Sequence, residues 1–227
     1  MTTLALPAPG SWVEHWLSPA RFSVYLASAG DDRTRALALY EWNAALTGSV
    51  LRDLAHFEVG LRNSYATALD GTWSGGGHWL QDPASPLRAP LMRTRGAGVQ
   101  VDVNRVSRQK IDEAYRKLGQ TAAPGQVIAE LSFGFWRYTS AKAREKTLWL
   151  PHLHHAFPTP TDRAELDGKI SKLNDLRNRA AHHEPLLAEP VAQRTQDIVD
   201  LARLLCPDLG AYIEATSRTA SLLPLRP

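Results

Sequence analysis

The sequence predicts an all-α protein, and three observations point to that class. Apolar residues recur at helical spacing through two long stretches, residues 50–69 and 162–184. No segment alternates apolar and polar residues over the length of a strand, and no Asn-Gly or Asp-Gly turn lies between apolar strands. Hydrophobic residues make up 44% of the 227 residues, which is enough for a packed core. We expect one helical domain of six to eight helices spanning residues 1–227.

Charge and composition narrow the class of protein only a little. The net charge of +3 by itself implies little about nucleic acid, and the single cysteine, Cys206, excludes an internal disulfide. No apolar run is long enough to span a membrane, and the chain does not open with a signal-peptide pattern. We therefore expect a cytoplasmic protein with no membrane partner. No Walker loop or dinucleotide-binding glycine pattern is present, so no cofactor is expected.

The first third of the chain predicts three helices after a loose leader at residues 1–10. Ser18 is a good N-cap for the first helix, because a proline follows it at the first helical position. Asp31 or Asp32 caps the second helix, and Thr47-Gly48-Ser49 is expected to break or bend it. The third, residues 50–69, presents an apolar face and carries Glu58 and Arg62 one turn apart on its other side.

Residues 71–98 are rich in glycine and proline and predict a loop insertion. Arg88, Arg93 and Arg95 lie in it with no acid between them, and Arg105 follows in a helix expected at about residues 99–118. Such a basic run is a candidate surface for the RNA phosphate backbone. A solvated face without a ligand explains the same pattern equally well.

The middle of the chain predicts a helix from Pro124 to Leu131 and a polar helix from about Tyr138 to Trp149. Gly134 lies between aromatic residues, which indicates a close approach of backbones in the core. Three histidines at residues 152–155 are candidate ligands for a metal ion. Their spacing is poor and no nearby Cys or Asp completes the set, so no metal site is expected.

The stretch from Asp162 to Pro185 predicts a helix with polar chemistry near its end. Asp162 supplies the N-cap, with Glu165 three residues later, and Pro185 is expected to stop the helix at Glu184. Two helices follow, at about 190–205 and 208–218, before a tail at residues 219–227, of which residues 222–227 are not expected to be helical.

Within that helix, Asn174, Asn178 and His182 fall on one polar face at intervals of four residues. Arg177 starts about 140° round the helix axis from His182, but its side chain is long enough to bring the guanidinium towards the polar face. Imidazole can move a proton near neutral pH, and guanidinium can bind a phosphate through two donors. A polar helix end whose histidines cap carbonyl groups is the alternative interpretation.

The run Arg177-Asn178-Arg179-Ala180-Ala181-His182 resembles the Arg-x4-His motif of HEPN domains. Its flanks, Leu-Arg-Asn before and His-His-Glu-Pro-Leu after, resemble the bacterial Abi-like abortive-infection branch of that superfamily. Two further stretches, residues 53–63 and residues 130–149, resemble the same branch. Together these stretches cover most of residues 20–205.

The resemblance implies a HEPN-like bundle and a metal-independent endoribonuclease for phage defence or of a toxin type. It assigns proton transfer to His182, with His183 as the substitute, and assigns phosphate binding to Arg177 and an orienting role to Asn178. Such nucleases combine two motifs, so one motif per chain implies a homodimer. A non-catalytic module that binds RNA or a protein partner is the alternative, and a cognate antitoxin or regulatory protein is a further partner left open.

The same resemblance extends the expected site to the helix at residues 50–69. Glu58, Arg62 and Asn63 are expected to line the cleft that contains Arg177. From the residues alone, a surface ion pair between Glu58 and Arg62 is the alternative.

Overall fold

The computed structural model describes residues 7–94 and 96–227, so residues 1–6 of the expected leader and Arg95 lie outside the described part. The described chain is mostly helical, as predicted. It contains ten α-helices rather than six to eight, because several are only one or two turns long. They are α1 (Trp12–Leu17), α2 (Pro19–Ser28), α3 (Arg33–Thr72), α4 (Arg105–Leu118), α5 (Pro124–Glu130), α6 (Phe133–Arg137), α7 (Arg163–Ala181), α8 (Val191–Leu205), α9 (Pro207–Thr216) and α10 (Thr219–Leu222).

The central element is α3, a helix of 40 residues capped by Asp32, whose carboxylate accepts a hydrogen bond from the Arg35 amide at 3.0 Å. The break predicted at Thr47–Ser49 is wrong. Buried residues keep their helical spacing on both sides of Gly48, from Leu46 through Val50. Burial of that continuous face outweighs the roughly 1 kcal/mol by which a glycine disfavours a helix.

The main core forms where α7 and α8 pack against α3, with α6 lying across α3 and α7. A smaller cluster joins α1 and α2 to the first turns of α3. At the start of α7, Asp162 accepts hydrogen bonds from the amides of Ala164 (2.6 Å) and Glu165 (3.0 Å), which confirms the predicted cap. Within the described residues, no helix is both long enough and apolar enough to cross a membrane.

The insertion after α3 contains a small antiparallel hairpin, so the expectation of no β-sheet is wrong there. Its strands are β1 (Met92–Thr94) and β2 (Gln100–Asp102), with Arg93 opposite Val101. Ala97 and Gly98 have φ angles of 59° and 75°, and this left-handed geometry reverses the chain between the strands. Strands of three residues are too short to produce a visible alternation in the sequence. The following helix begins at Arg105 rather than near residue 99.

Two further expectations are corrected by long-range contacts. The predicted polar helix from Tyr138 to Trp149 is replaced by short 3-10 turns and a π-helical turn at Glu145–Trp149. The tail forms a short helix at Thr219–Leu222, which docks on α3, and a 3-10 turn at Leu223–Leu225, so the expectation of a non-helical end from Leu222 is wrong at these residues. There, buried Asp53 accepts hydrogen bonds from the hydroxyls of Ser217 and Thr219.

Candidate functional site

The helix α7 ends at Ala181, three residues before the position that Pro185 predicts. His183 adopts a left-handed conformation with φ of 56°, and its amide donates to the Ala180 carbonyl at 3.0 Å. The Glu184 amide donates to the Arg179 carbonyl at 2.9 Å, which completes the hydrogen-bond pattern of a helix closed by a left-handed residue. Backbone geometry therefore ends this helix before the proline does.

The two histidines at this end are both exposed. Among the described residues, neither imidazole forms a hydrogen bond or an ion pair, so they do not cap the carbonyls of α7 in the way the alternative interpretation requires. The side chain of Asn178 is exposed and likewise has no hydrogen-bond partner within the described chain. These three groups are open to a ligand arriving from solvent.

One turn back along the helix, Arg177 lies near enough to Glu58 of α3 for its charge to act on that carboxyl, and Arg62 of α3 acts on the same carboxyl. Burial raises the pKa of the half-buried Glu58 carboxyl, while the positive charges of Arg177 and Arg62 and the backbone amide of Phe133 lower it; the net direction is upward. Neither guanidinium lies within 4.0 Å of a carboxylate in residues 7–94 and 96–227. Both therefore keep donors free near a carboxyl whose pKa is raised by burial.

Arg62 uses few of its hydrogen-bond donors within the fold. One of its terminal nitrogens donates to the Ala129 carbonyl at 3.3 Å, and its buried Nε has no partner within the described residues. Arg177 forms no hydrogen bond in that part of the chain. Two guanidiniums with free donors can bind a phosphate through charge-assisted hydrogen bonds.

Asn174, one turn before Arg177, links this cluster to the start of α6. It is 8% exposed, and its Oδ1 atom has no hydrogen-bond partner among the described residues. A Cβ atom built on Gly134 would lie 3.8 Å from Asn174 Oδ1 and 3.8 Å from Ser132 Oγ. That is ordinary contact, so the close backbone approach expected at Gly134 is wrong.

The structure thus places Arg177 and Arg62 near Glu58, whereas within the described residues no hydrogen bond or ion pair links His182 or His183 to them. His182 lies five residues beyond Arg177, which corresponds to about 7.5 Å along the axis and about 140° around it. Asn63 points elsewhere on α3, where it lines a shallow groove of about 530 Å³ with Thr67 and His155.

The basic residues of the insertion have different roles from one another. Arg88 donates to Asp112 at 2.8 Å and to the Leu80 carbonyl at 3.1 Å, and Arg93 donates twice to the Ala143 carbonyl. These two side chains hold the insertion against the rest of the fold. Arg105 is exposed, and its guanidinium has no partner in the described chain.

The histidines at residues 152–155 do not assemble a metal site. His152 is buried and its Nδ1 lies 2.7 Å from the Thr72 hydroxyl. Its pKa is lowered, chiefly by burial and also by His155 and His154, which favours the neutral ring. Within the described residues, no group of three or more His, Cys, Asp or Glu side chains is placed to hold a metal ion.

A groove of about 830 Å³ between the hairpin, α4 and α6 was not predicted from the sequence. Its lining includes Tyr138 and the buried Arg144, which come from a stretch that had been expected to form a polar helix. Because these residues reach the hairpin only through tertiary packing, no local pattern identifies them.

Comparison of the chain with protein-family models, with curated proteins and with solved structures found no match. The chemistry of the site therefore rests on its own residues and on the resemblance of its motif.

Proposed function

We propose that the chain is a metal-independent endoribonuclease that cleaves RNA by transesterification. The observation that supports the proposal is that Arg177 of α7 and Arg62 of α3 both lie near Glu58. Neither guanidinium forms a salt bridge within the described residues, so both have free donors. Glu58 lies near both side chains but forms no salt bridge with either, so their donors stay open to a ligand. A phosphodiester can accept hydrogen bonds from two guanidiniums and carries the charge that they attract.

In the proposed reaction, the 2′-hydroxyl of a ribose attacks the adjacent phosphorus. His182 takes the hydroxyl proton as the new P–O bond forms, and Arg177 stabilises the additional negative charge on the phosphorane. The bond to the 5′-oxygen then breaks, and a second acid returns a proton to that oxygen. The products are a 2′,3′-cyclic phosphate and a 5′-hydroxyl.

The second proton carrier comes from a second copy of the chain. This step follows from the Arg-x4-His resemblance, in which two motifs face each other across a dimer. His182 and His183 are exposed at the end of α7, where a second copy can reach them. Asn178, exposed on the same helix, would orient the imidazole or the phosphate.

A non-catalytic RNA-binding module is the second candidate. The separation between His182 and the cluster around Arg177 favours it, since one chain alone does not place a proton carrier beside its two guanidiniums. Under either proposal the ligand is RNA. In the cell, we propose a role in abortive infection or as a toxin, with a separate antitoxin as a potential partner.

Incubation with RNA in excess EDTA, followed by identification of the end groups, tests the nuclease proposal. We expect cyclic phosphate and 5′-hydroxyl ends from the parent, and a loss on the order of 10²–10⁴ in rate for His182→Ala. Arg177→Ala should also lose cleavage, and Arg177→Lys should recover little because an ammonium cannot present two parallel donors.

Lys172→Ala is the matched control, because Lys172 is an exposed cation on the same helix with no partner in the described chain. It should cleave like the parent. If purified, folded His182→Ala and Arg177→Ala both cleave like the parent, the nuclease proposal fails and the binding module replaces it.

A further inference from the structure

A groove of about 830 Å³ lies beside the Arg177 cluster, bounded by the hairpin, the first turns of α4 and the start of α6. Its volume falls in the range of about 300–1,000 Å³ typical of ligand sites. Ser132 and Gly134 line one end, and Asn174 lies directly behind Gly134. Asn174 is one helical turn from Arg177, so this end of the groove approaches the two guanidiniums.

The groove exposes apolar and aromatic surface that the fold does not use. Tyr138 is 57% exposed and Val106 is 57% exposed, and both line the groove. The Arg137 guanidinium lies 4.9 Å from the centre of the Tyr138 ring and is itself held by Asp167 at 2.9 Å. The ring is therefore supported by the fold while much of it stays open to solvent.

The charge of the groove is positive. Its lining contains three cations, Arg105, Lys110 and Arg144, and one carboxylate, Asp102. That carboxylate is already neutralised, because it forms an ion pair with Arg108 and also accepts hydrogen bonds from two backbone amides. Lys110 forms an ion pair with Glu113 at 2.7 Å, but both side chains are exposed. Such a surface pair contributes little free energy, so Lys110 can leave it to bind a ligand.

The floor of the groove is rigid. Arg144 is 4% exposed, and its guanidinium donates four hydrogen bonds of 2.8–3.0 Å to groups of the hairpin segment, α4 and residue 138. The groove therefore offers the exposed ring of Tyr138, two cations at its rim and the fixed guanidinium of Arg144 in its floor. These features suit a polyanion whose bases are free to stack.

We propose that this groove binds single-stranded RNA. A base stacks on Tyr138, the phosphates lie near Arg105 and Lys110, and the strand runs past Ser132 and Gly134 towards Arg177. The stacking requires an unpaired base, which selects a single strand over a duplex. The direction of the strand rests on the proposed function, whereas binding in the groove does not.

Fluorescence anisotropy with a labelled oligonucleotide of ten 2′-O-methyluridines tests the groove. That probe has no free 2′-hydroxyl, so cleavage cannot affect the measurement. We expect Tyr138→Ala to weaken binding on the order of 5- to 100-fold, as removal of a stacking aromatic does, and Tyr138→Phe to bind like the parent. Replacing both Arg105 and Lys110 by Ala should weaken binding and reduce the slope of log Kd against log salt by about one to two.

Matched controls separate the groove from the rest of the surface. Tyr212→Ala removes a tyrosine of similar exposure (52%) from α9, and Arg35→Ala with Arg218→Ala removes two exposed cations elsewhere. Both should bind like the parent, and a duplex of the same length should bind more weakly than the single strand.

The outcomes distinguish the two proposals. If the parent binds the probe and Tyr138→Ala binds equally well, the groove is not the RNA site, and the proposed nuclease activity is untouched. If the parent does not bind the probe at all, the groove proposal fails, and the cleavage assay in EDTA decides the nuclease activity separately. Binding lost only in Tyr138→Ala and the double cation variant supports the groove even if no RNA is cleaved.

Discussion

Arg177 of α7 lies close enough to Glu58 of α3 for its positive charge to lower the pKa of that carboxyl, yet the two side chains form no salt bridge within 4.0 Å. Burial of Glu58 outweighs the favourable charges, so the net shift of its pKa is upward. The ionised form of Glu58 is therefore less favourable in the fold than in water, even though two guanidiniums lie near it.

We expect Glu58→Gln to be more stable than the parent at neutral pH. The pKa of Glu58 is raised in the folded chain, so the folded state holds this proton to a higher pH than the unfolded state does. The associated stability is fully present below the unfolded pKa and is lost as pH rises through the folded pKa. The advantage of Glu58→Gln should thus be smallest at pH 4 and larger at pH 7 in urea denaturation.

The control for this measurement is Glu41→Gln, an exposed glutamate on the same helix with no ion pair in the described chain. It should change stability equally little at both pH values. If the change in stability relative to the parent varies with pH in the same way for both variants, burial does not disfavour the ionised form of Glu58.

We expect His183→Gly to stabilise the fold and to leave cleavage intact. His183 has φ of 56°, and a residue with a Cβ atom is strained there by about 1–2 kcal/mol. Glycine removes that strain but has more freedom when unfolded, so we expect a net gain of up to about 1 kcal/mol in thermal denaturation.

Glu184→Gly, at a neighbouring exposed position without a positive φ, should lose stability instead. The same variants report on chemistry. Should His183→Gly gain stability and lose cleavage, His183 rather than His182 is the proton carrier.

We expect Arg144→Met to destabilise the protein by on the order of 3–5 kcal/mol, because it leaves buried acceptors without donors. Burial lowers the pKa of Arg144 to about 10, so the guanidinium stays charged at neutral pH. Its partners are Asn104 Oδ1, Ser107 Oγ and the carbonyl groups of Val103 and Tyr138.

Lysine cannot reproduce this set, since it presents its donors from one atom, so Arg144→Lys should rescue little. Arg116→Met, an exposed arginine on α4 without a partner in the described chain, should stay within about 0.5 kcal/mol of the parent in urea denaturation. Equal losses for both arginines would contradict a structural role for Arg144.

The parts of the fold that follow from local chemistry were predictable from the sequence. The cap of α7 is one example, because Asp162 and the amides it accepts from are within three residues of each other. The end of the same helix was misplaced, because a left-handed His183 closes it before Pro185 does. Sequence patterns favour glycine or asparagine at such a position, and His183 is neither.

Features that depend on contacts between distant residues were missed. At Gly48 the local rule for glycine was weighted above the apolar spacing of Leu46 and Val50, and so a break or bend in α3 was predicted. Tyr138 and Arg105 meet across the groove only because Arg144 ties their segments together. The meeting of Glu58 with Arg177 was expected only through the family resemblance, since no spacing within either helix reveals it.

A mixing experiment tests whether the active unit is a pair of chains. Ideal helix geometry places His182 about 7.5 Å along the axis from Arg177 and about 140° around it, so under the proposed function a histidine of the partner would complete the set of two proton carriers. A mixed dimer of the two variants keeps one Arg177 opposite one His182, and about half of randomly exchanged dimers contain both chains of an equal mixture. Arg177→Ala and His182→Ala, each inactive alone, should therefore regain a measurable fraction of the parent's cleavage when they are exchanged and mixed.

The control for the mixing experiment replaces one partner by the double variant, which carries both substitutions. This mixture contains no intact His182 facing an intact Arg177 across the interface, and it should stay inactive. Light scattering must show dimers in all samples at the concentrations assayed, because the recovered activity depends on exchange between them. If mixed dimers form and remain as inactive as either variant alone, one Arg177 opposite one His182 of the other chain is not sufficient for cleavage. A composite site in which one such pair supports cleavage is then excluded.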